Sequence, residues 1–132
     1  MLETAIRSAA TTASGKVIVA EFNELCPWLI DRWMTEGLLP NFKRMHGHSA
    51  VFETFADVTD PPDLEPWIQW YSLHTGLSFD QHGVFHLTEG AAATHDDLWR
   101  IAQAGGRKVI NFAAMNARPF DFPGSVYVSD PW

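Results

Sequence analysis

The sequence predicts an α/β domain with a mainly parallel sheet flanked by helices. Short runs of β-branched and apolar residues alternate with segments whose apolar residues recur at helical spacing, which is the order typical of this class. The first run, residues 17–22, is apolar at nearly every position, as in a strand covered on both faces. Further strands are predicted from β-branched or alternating residues at 50–55, 108–113 and 126–128.

Proline and glycine place the first helices between these strands. Pro27 and Pro40 each suit the first turn of a helix, and Gly37 suits the end of the helix that Pro27 opens. A third helix is predicted to begin at Pro66 and to end at Gly76. Because aromatic side chains occur on more than one side of this third helix, we expect it to be buried all round.

Loops and one capped helix fill the rest of the chain. The acidic, proline-rich segment 57–66 is predicted to be a loop, and the glycine-bearing segment 77–93 is predicted to be irregular. Thr94 and Asp97 have the spacing of a capping box for a fourth helix, which ends at residues 105–106.

Length and composition exclude several classes of protein. A chain of 132 residues suits one domain, predicted at 16–132 after a flexible leader of small and polar residues at 1–15. Nine Lys and Arg against sixteen Asp and Glu give a net charge of -7, which disfavours nucleic acid as a partner. No apolar run approaches the ~18 residues of a membrane span, and no secretory signal is visible. We therefore expect a cytoplasmic protein without membrane contact.

Charged residues are distributed unevenly along the chain. Residues 45–99 contain no Lys or Arg, but they contain all six histidines and nine of the acidic residues. Carboxylates and imidazoles without competing ammonium groups suit a divalent cation, because a nearby Lys or Arg repels the ion and occupies its ligands. A solvated acidic face with ordinary surface histidines has the same composition, so both alternatives stay open.

Polar residues follow the first predicted strand, at the end where α/β proteins bind ligands. Glu21, Asn23 and Glu24 occupy this place and carry oxygen atoms that could coordinate a cation. A turn that leads into a helix needs the same residue types, so a structural role is the alternative.

The motifs, taken in order, resemble the amino-terminal half of the alkaline phosphatase superfamily, in its phosphodiesterase/nucleotide pyrophosphatase and sulfatase-like branch. There the first strand ends in an Asp-Gly pair, a helix is followed by EG-x-LPN, and a helix ending in SL-x-TG precedes an HG loop. The matching segments here are Asn23-Glu24, EGLLPN at 36–41, SLHTG at 72–76 and His82-Gly83.

The resemblance implies a partial alkaline-phosphatase-like core and a metal-dependent hydrolase of small phosphate, phosphodiester or sulfate esters. Such enzymes use divalent metals, usually a pair of zinc ions, and here manganese and magnesium are the alternatives. The family's metal-binding Asp falls on Asn23, which is a weaker neutral ligand. Glu24 or Glu21 would have to compensate for it.

The family's catalytic alcohol has no direct counterpart. It is a Thr or Ser at a helix N-terminus, and its position falls on Pro66, with Glu65 beside it. Thr59 is the nearest hydroxyl in the same loop, so Glu65 and Thr59 are the catalytic candidates that the resemblance implies.

The remaining expectations concern the completeness of the chain and its contacts with other polypeptide. The family's remaining metal ligands belong to its carboxyl half, so the resemblance implies a fragment or shortened relative that is not a competent phosphatase alone. Self-association, or a missing carboxyl-terminal half, would then cover exposed apolar surface. The competing hypothesis is a non-enzymatic, flavodoxin-like binding module that contacts a partner through exposed Trp67, Trp70 and Trp99.

Overall fold

The computed structural model describes residues 15–58 and 64–131, so most of the predicted leader and residue Thr59 lie outside the described residues. The described chain is a small mixed domain of helices with one two-stranded parallel sheet. Its elements in order are α1 (Pro27–Thr35), α2 (Pro40–His46), α3 (Pro66–Thr75), α4 (Phe79–His82), a 3-10 turn (Glu89–Ala91), α5 (Leu98–Ala104), β1 (Ile110–Phe112) and β2 (Val126–Val128).

The predicted proline starts and glycine ends of the helices are confirmed. Pro27, Pro40 and Pro66 each open a helix, where the absent proline N–H costs no intrahelical hydrogen bond. Gly76 ends α3 with a φ of 71°, a left-handed conformation that glycine adopts without a Cβ clash.

The predicted strands at 17–22 and 50–55 are wrong. Both segments lack regular secondary structure, and the sheet of the described chain contains only β1 and β2. A β-branched run has the propensity for a strand, but a strand also needs a neighbour to bond its backbone. The α/β class is therefore confirmed in its coarse form, with a parallel sheet much smaller than the one predicted.

Two helix starts also differ from the sequence-based expectation. Asp97 itself caps α5, because its carboxylate accepts a hydrogen bond from the Arg100 amide at 2.9 Å, so the capping box at Thr94 is wrong. Within the supposedly irregular 77–93, Ser78 and Gln81 form a reciprocal capping box that starts the short helix α4. The S-x-x-Q spacing of Ser78 and Gln81 is the sequence feature that could have predicted this helix start.

The sheet is covered on one face only. Its register pairs Ile110 with Val126 and Phe112 with Val128, which places these four side chains on the same face. They are exposed by 73%, 49%, 79% and 40%, respectively, whereas Asn111 on the opposite face is 2% exposed. Parallel sheets normally have both faces covered, and this one does not. We call these four residues the open sheet face.

The core lies around α3. Ile68, Tyr71 and His74 of this helix are buried together with Trp99 of α5, which is 5% exposed, so the expectation of an exposed Trp99 is wrong. Leu73 is 60% exposed, and α3 is therefore not buried all round. Within the described part of the chain, no helix is long and apolar enough to cross a membrane.

Candidate functional site

A pocket at the start of α1 contains the three residues predicted as metal ligands. Glu21, Asn23 and Glu24 all line it, and its volume is about 440 Å³. The other lining residues are Phe22, Leu25, Cys26, Leu29, Ile30 and Trp33. The three predicted residues thus line one pocket, together with apolar side chains of α1 and of the segment before it.

Glu21 is held by a buried histidine of α3. Its Oε1 lies 3.0 Å from His74 Nε2, and the side chains of Glu21 and His74 are 16% and 1% exposed. A carboxylate only accepts, so the imidazole donates from Nε2. The buried Nδ1 of His74 has no hydrogen-bond partner among the described residues.

Asn23 is held by the same helix, one turn earlier. The indole Nε1–H of Trp70 donates to Asn23 Oδ1 at 3.2 Å. Because the amide oxygen still has a second lone pair, this hydrogen bond leaves it able to accept another contact. Neither Trp70 nor His74 was predicted at this pocket, because their contacts span 47 and 53 residues and local spacing carries no signal of them.

Glu24 completes the polar side of the pocket. It is exposed and adopts a φ of 55°, a left-handed conformation that few non-glycine residues occupy. Glycine adopts this conformation more readily than other residues, because it has no Cβ atom.

These oxygen donors suit a divalent cation by their chemistry. Carboxylate and amide oxygens are ligands that magnesium and manganese accept, whereas zinc more often takes His and Cys. Across residues 15–58 and 64–131, no group of three or more His, Cys, Asp or Glu side chains is placed to hold a metal ion. Amide, backbone or water oxygens would therefore have to complete the coordination.

Of the two catalytic candidates, the structure describes only Glu65, which is not brought to this pocket. Glu65 precedes α3 as its N-terminal cap residue, but its side chain forms no capping hydrogen bond and does not line the pocket. Thr59 lies outside the described residues.

A serine and a histidine also meet beneath α3, without forming an activated nucleophile. Ser72 Oγ lies 2.9 Å from His82 Nε2, and the Val84 amide donates to His82 Nδ1 at 2.9 Å. Because Nδ1 accepts, the neutral ring carries its proton on Nε2 and donates to the serine. Burial lowers the pKa of His82, and this effect is larger than the increase in pKa caused by the charge of Asp57. This pair is a structural contact.

A comparison with protein-family models, curated proteins and solved structures finds no match to this chain.

Proposed function

We propose that this chain is an incomplete or divergent, cytoplasmic unit of the alkaline phosphatase superfamily, which belongs to a metal-dependent hydrolase of small phosphate, phosphodiester or sulfate esters. The observation that carries the proposal is the pocket in which Glu21, Asn23 and Glu24 lie together. By the resemblance, Asn23 falls on the position of the family's metal-binding Asp, and the carboxylates of Glu21 and Glu24 are close to it in the chain.

The order of the described elements supports the proposal. The segments that resemble family motifs lie at element boundaries, where glycine or proline is needed. The EGLLPN segment connects α1 to α2, SLHTG ends α3, and His82-Gly83 ends α4, where Gly83 has a φ of 63°.

The proposal gives each residue a limited role. A bound cation would neutralise the negative charge of the ester. Glu21 and Glu24 would supply charge to hold the cation, and Asn23 would supply a neutral oxygen. Glu65 and Thr59 stay catalytic candidates from the resemblance alone, and the proposed hydrolase is accordingly incomplete or divergent.

The experiment restores the family's charge at the pocket. Asn23→Asp keeps the acceptor for Trp70 and adds a carboxylate, so we expect Mn²⁺ to bind at least about tenfold more tightly by calorimetric titration. Asn41→Asp makes the same change on α2, at a residue that does not line the pocket, and is expected to leave the affinity unchanged. The same titrations are made with zinc and magnesium. Hydrolysis is assayed with p-nitrophenyl substrates that carry a phosphate diester or a sulfate. If neither wild type nor Asn23→Asp binds any of these metals, the proposal fails.

The second candidate function is a non-enzymatic binding module, and the open sheet face favours it. Four apolar side chains on one face form a contiguous surface of a kind that usually contacts other polypeptide. A module of this kind would gain no thermal stability from divalent metals, whereas a metal-binding hydrolase would. Unfolding temperatures with chelator and with each metal separate the two functions.

A further inference from the structure

Two residues of α3 face two alternate residues of the pocket wall. Glu21 and Asn23 are separated by one residue in a segment without helix or strand, and they contact His74 and Trp70, respectively. Trp70 and His74 are four residues apart, so they lie on one side of α3, and their rings stack with centroids 6.1 Å apart. Each of the two α3 residues therefore bonds to one of the two pocket residues.

Burial makes this arrangement rigid on the side of the helix. His74 is 2% exposed, and Trp99 packs edge-on against it with ring centroids 4.7 Å apart. The rings of Trp70 and Trp99 thus both pack against the imidazole that contacts Glu21. A hydrogen bond to a carboxylate in such a poorly solvated place is stronger than one at the surface.

Few other polar contacts hold the pocket wall in place. Residues 15–25 make no backbone hydrogen bond with other described backbone. Val17, Ile18 and Val19 are 86%, 89% and 60% exposed, so packing does not restrain the beginning of this segment. The side-chain contacts of Glu21 and Asn23 with α3 are thus the main polar restraints on the two oxygens.

We propose that Trp70 and His74 are positioning residues, which set the Asn23 and Glu21 oxygens for a divalent cation. This inference rests on the proposed function, because it concerns the ligands of the same pocket. It adds that α3 serves as the template for the pocket, with one donor for each oxygen. Neither α3 residue contacts the cation itself.

The test compares two substitutions at His74 in the full chain. Gln keeps an N–H donor for Glu21, whereas Leu removes it at similar size. Leu73→Gln is the matched control for a polar change on the exposed side of α3. We expect His74→Leu to weaken Mn²⁺ binding about 10- to 100-fold, as loss of a residue that orients a ligand does, and His74→Gln to recover most of the affinity. The free Mn²⁺ signal in electron paramagnetic resonance measures the affinity.

A second readout needs no metal. Heteronuclear NOE values of residues 17–25 report fast backbone motion, and they should fall in His74→Leu and in Trp70→Phe, but not in Leu73→Gln. Equal losses of affinity for His74→Leu and His74→Gln, or NOE values unchanged from wild type, would overturn the inference. If wild type binds no Mn²⁺, the proposed function fails. The NOE values, and their recovery in His74→Gln, still decide whether α3 positions the segment.

Discussion

Asn116 and Gly90 join two segments that are 26 residues apart in the chain. The Gly90 amide donates to Asn116 Oδ1 at 2.9 Å, and Asn116 Nδ2 donates to the Trp67 carbonyl at 3.1 Å. A Cβ atom on Gly90 would overlap the backbone oxygen of Asn116. Asn116 therefore links the 3-10 turn, the loop after β1 and the first turn of α3, and only glycine fits beside it.

Gly90→Ala should be strongly destabilising. The new methyl group meets backbone that cannot move without breaking the Asn116 contacts, so we expect a loss of about 3 kcal/mol in the free energy of unfolding. Gly47→Ala is the control, because Gly47 has a φ of -70° and its Cβ would meet ordinary contacts of 3.5 Å. Urea denaturation measures both, and equal stability of the two variants would contradict the packing at Gly90.

Stability should fall in mild acid because of His82. Burial lowers the pKa of His82 in the folded state, while the unfolded chain has an ordinary histidine pKa near ~6.5. The unfolded state therefore takes up the proton first, and stability is lost as the pH falls below ~6.5, by up to about 1.4 kcal/mol per pH unit.

The matched variants for this pH effect are His82→Asn and His86→Asn. The side-chain oxygen introduced by His82→Asn would still accept from the Val84 amide but does not titrate, so the stability of this variant should depend less on pH between 7 and 5. His86 is exposed, and its replacement should leave the wild-type slope. Chemical denaturation at several pH values checks this, and identical slopes for all three proteins would refute the role of His82.

Asp97 should contribute more to stability than its neighbour Asp96. Asp97 is 3% exposed, caps α5 through the Arg100 amide and also pairs with the Arg100 guanidinium. We expect Asp97→Ala to cost about 1–2 kcal/mol, and Asp97→Asn to cost less because it keeps the cap. Asp96→Ala, at an exposed site, should change little. Thermal unfolding ranks the three variants, and a neutral Asp97→Ala would rule out this cap.

The chain should associate with a second copy through the open sheet face. This face carries no charge, so two copies can pack it face to face, and higher salt should favour association by screening the net charge of -7. Phe112→Ser should weaken association at least about tenfold in sedimentation velocity, because Phe112 is the most exposed residue of the face. Phe52→Ser, at a site that is 82% exposed outside the sheet, is the control. A wild-type chain that is monomeric at every concentration would contradict this prediction.

Local chemistry made part of the fold predictable. The three prolines that open helices restrict φ by their own ring, and Gly76 adopts a backbone conformation that other residues avoid. Such effects act within a few residues, so they can be recognised in the sequence. Glu21, Asn23 and Glu24 also line one pocket, because they are neighbours in the chain.

Contacts between distant residues decided the rest. The apolar run at 17–22 has the composition of a strand but no strand partner in the described chain, while β1 and β2 pair across an intervening loop. The burial of Trp99, the hydrogen bond of Glu21 to His74 and the link of Gly90 to Asn116 likewise join segments far apart in sequence. The sequence by itself determined that Pro27, Pro40 and Pro66 open helices and that Gly76 ends one. Only the tertiary structure decided which strands pair and which helix holds the oxygens of Glu21 and Asn23, because such contacts depend on the path of the whole chain and not on local propensity.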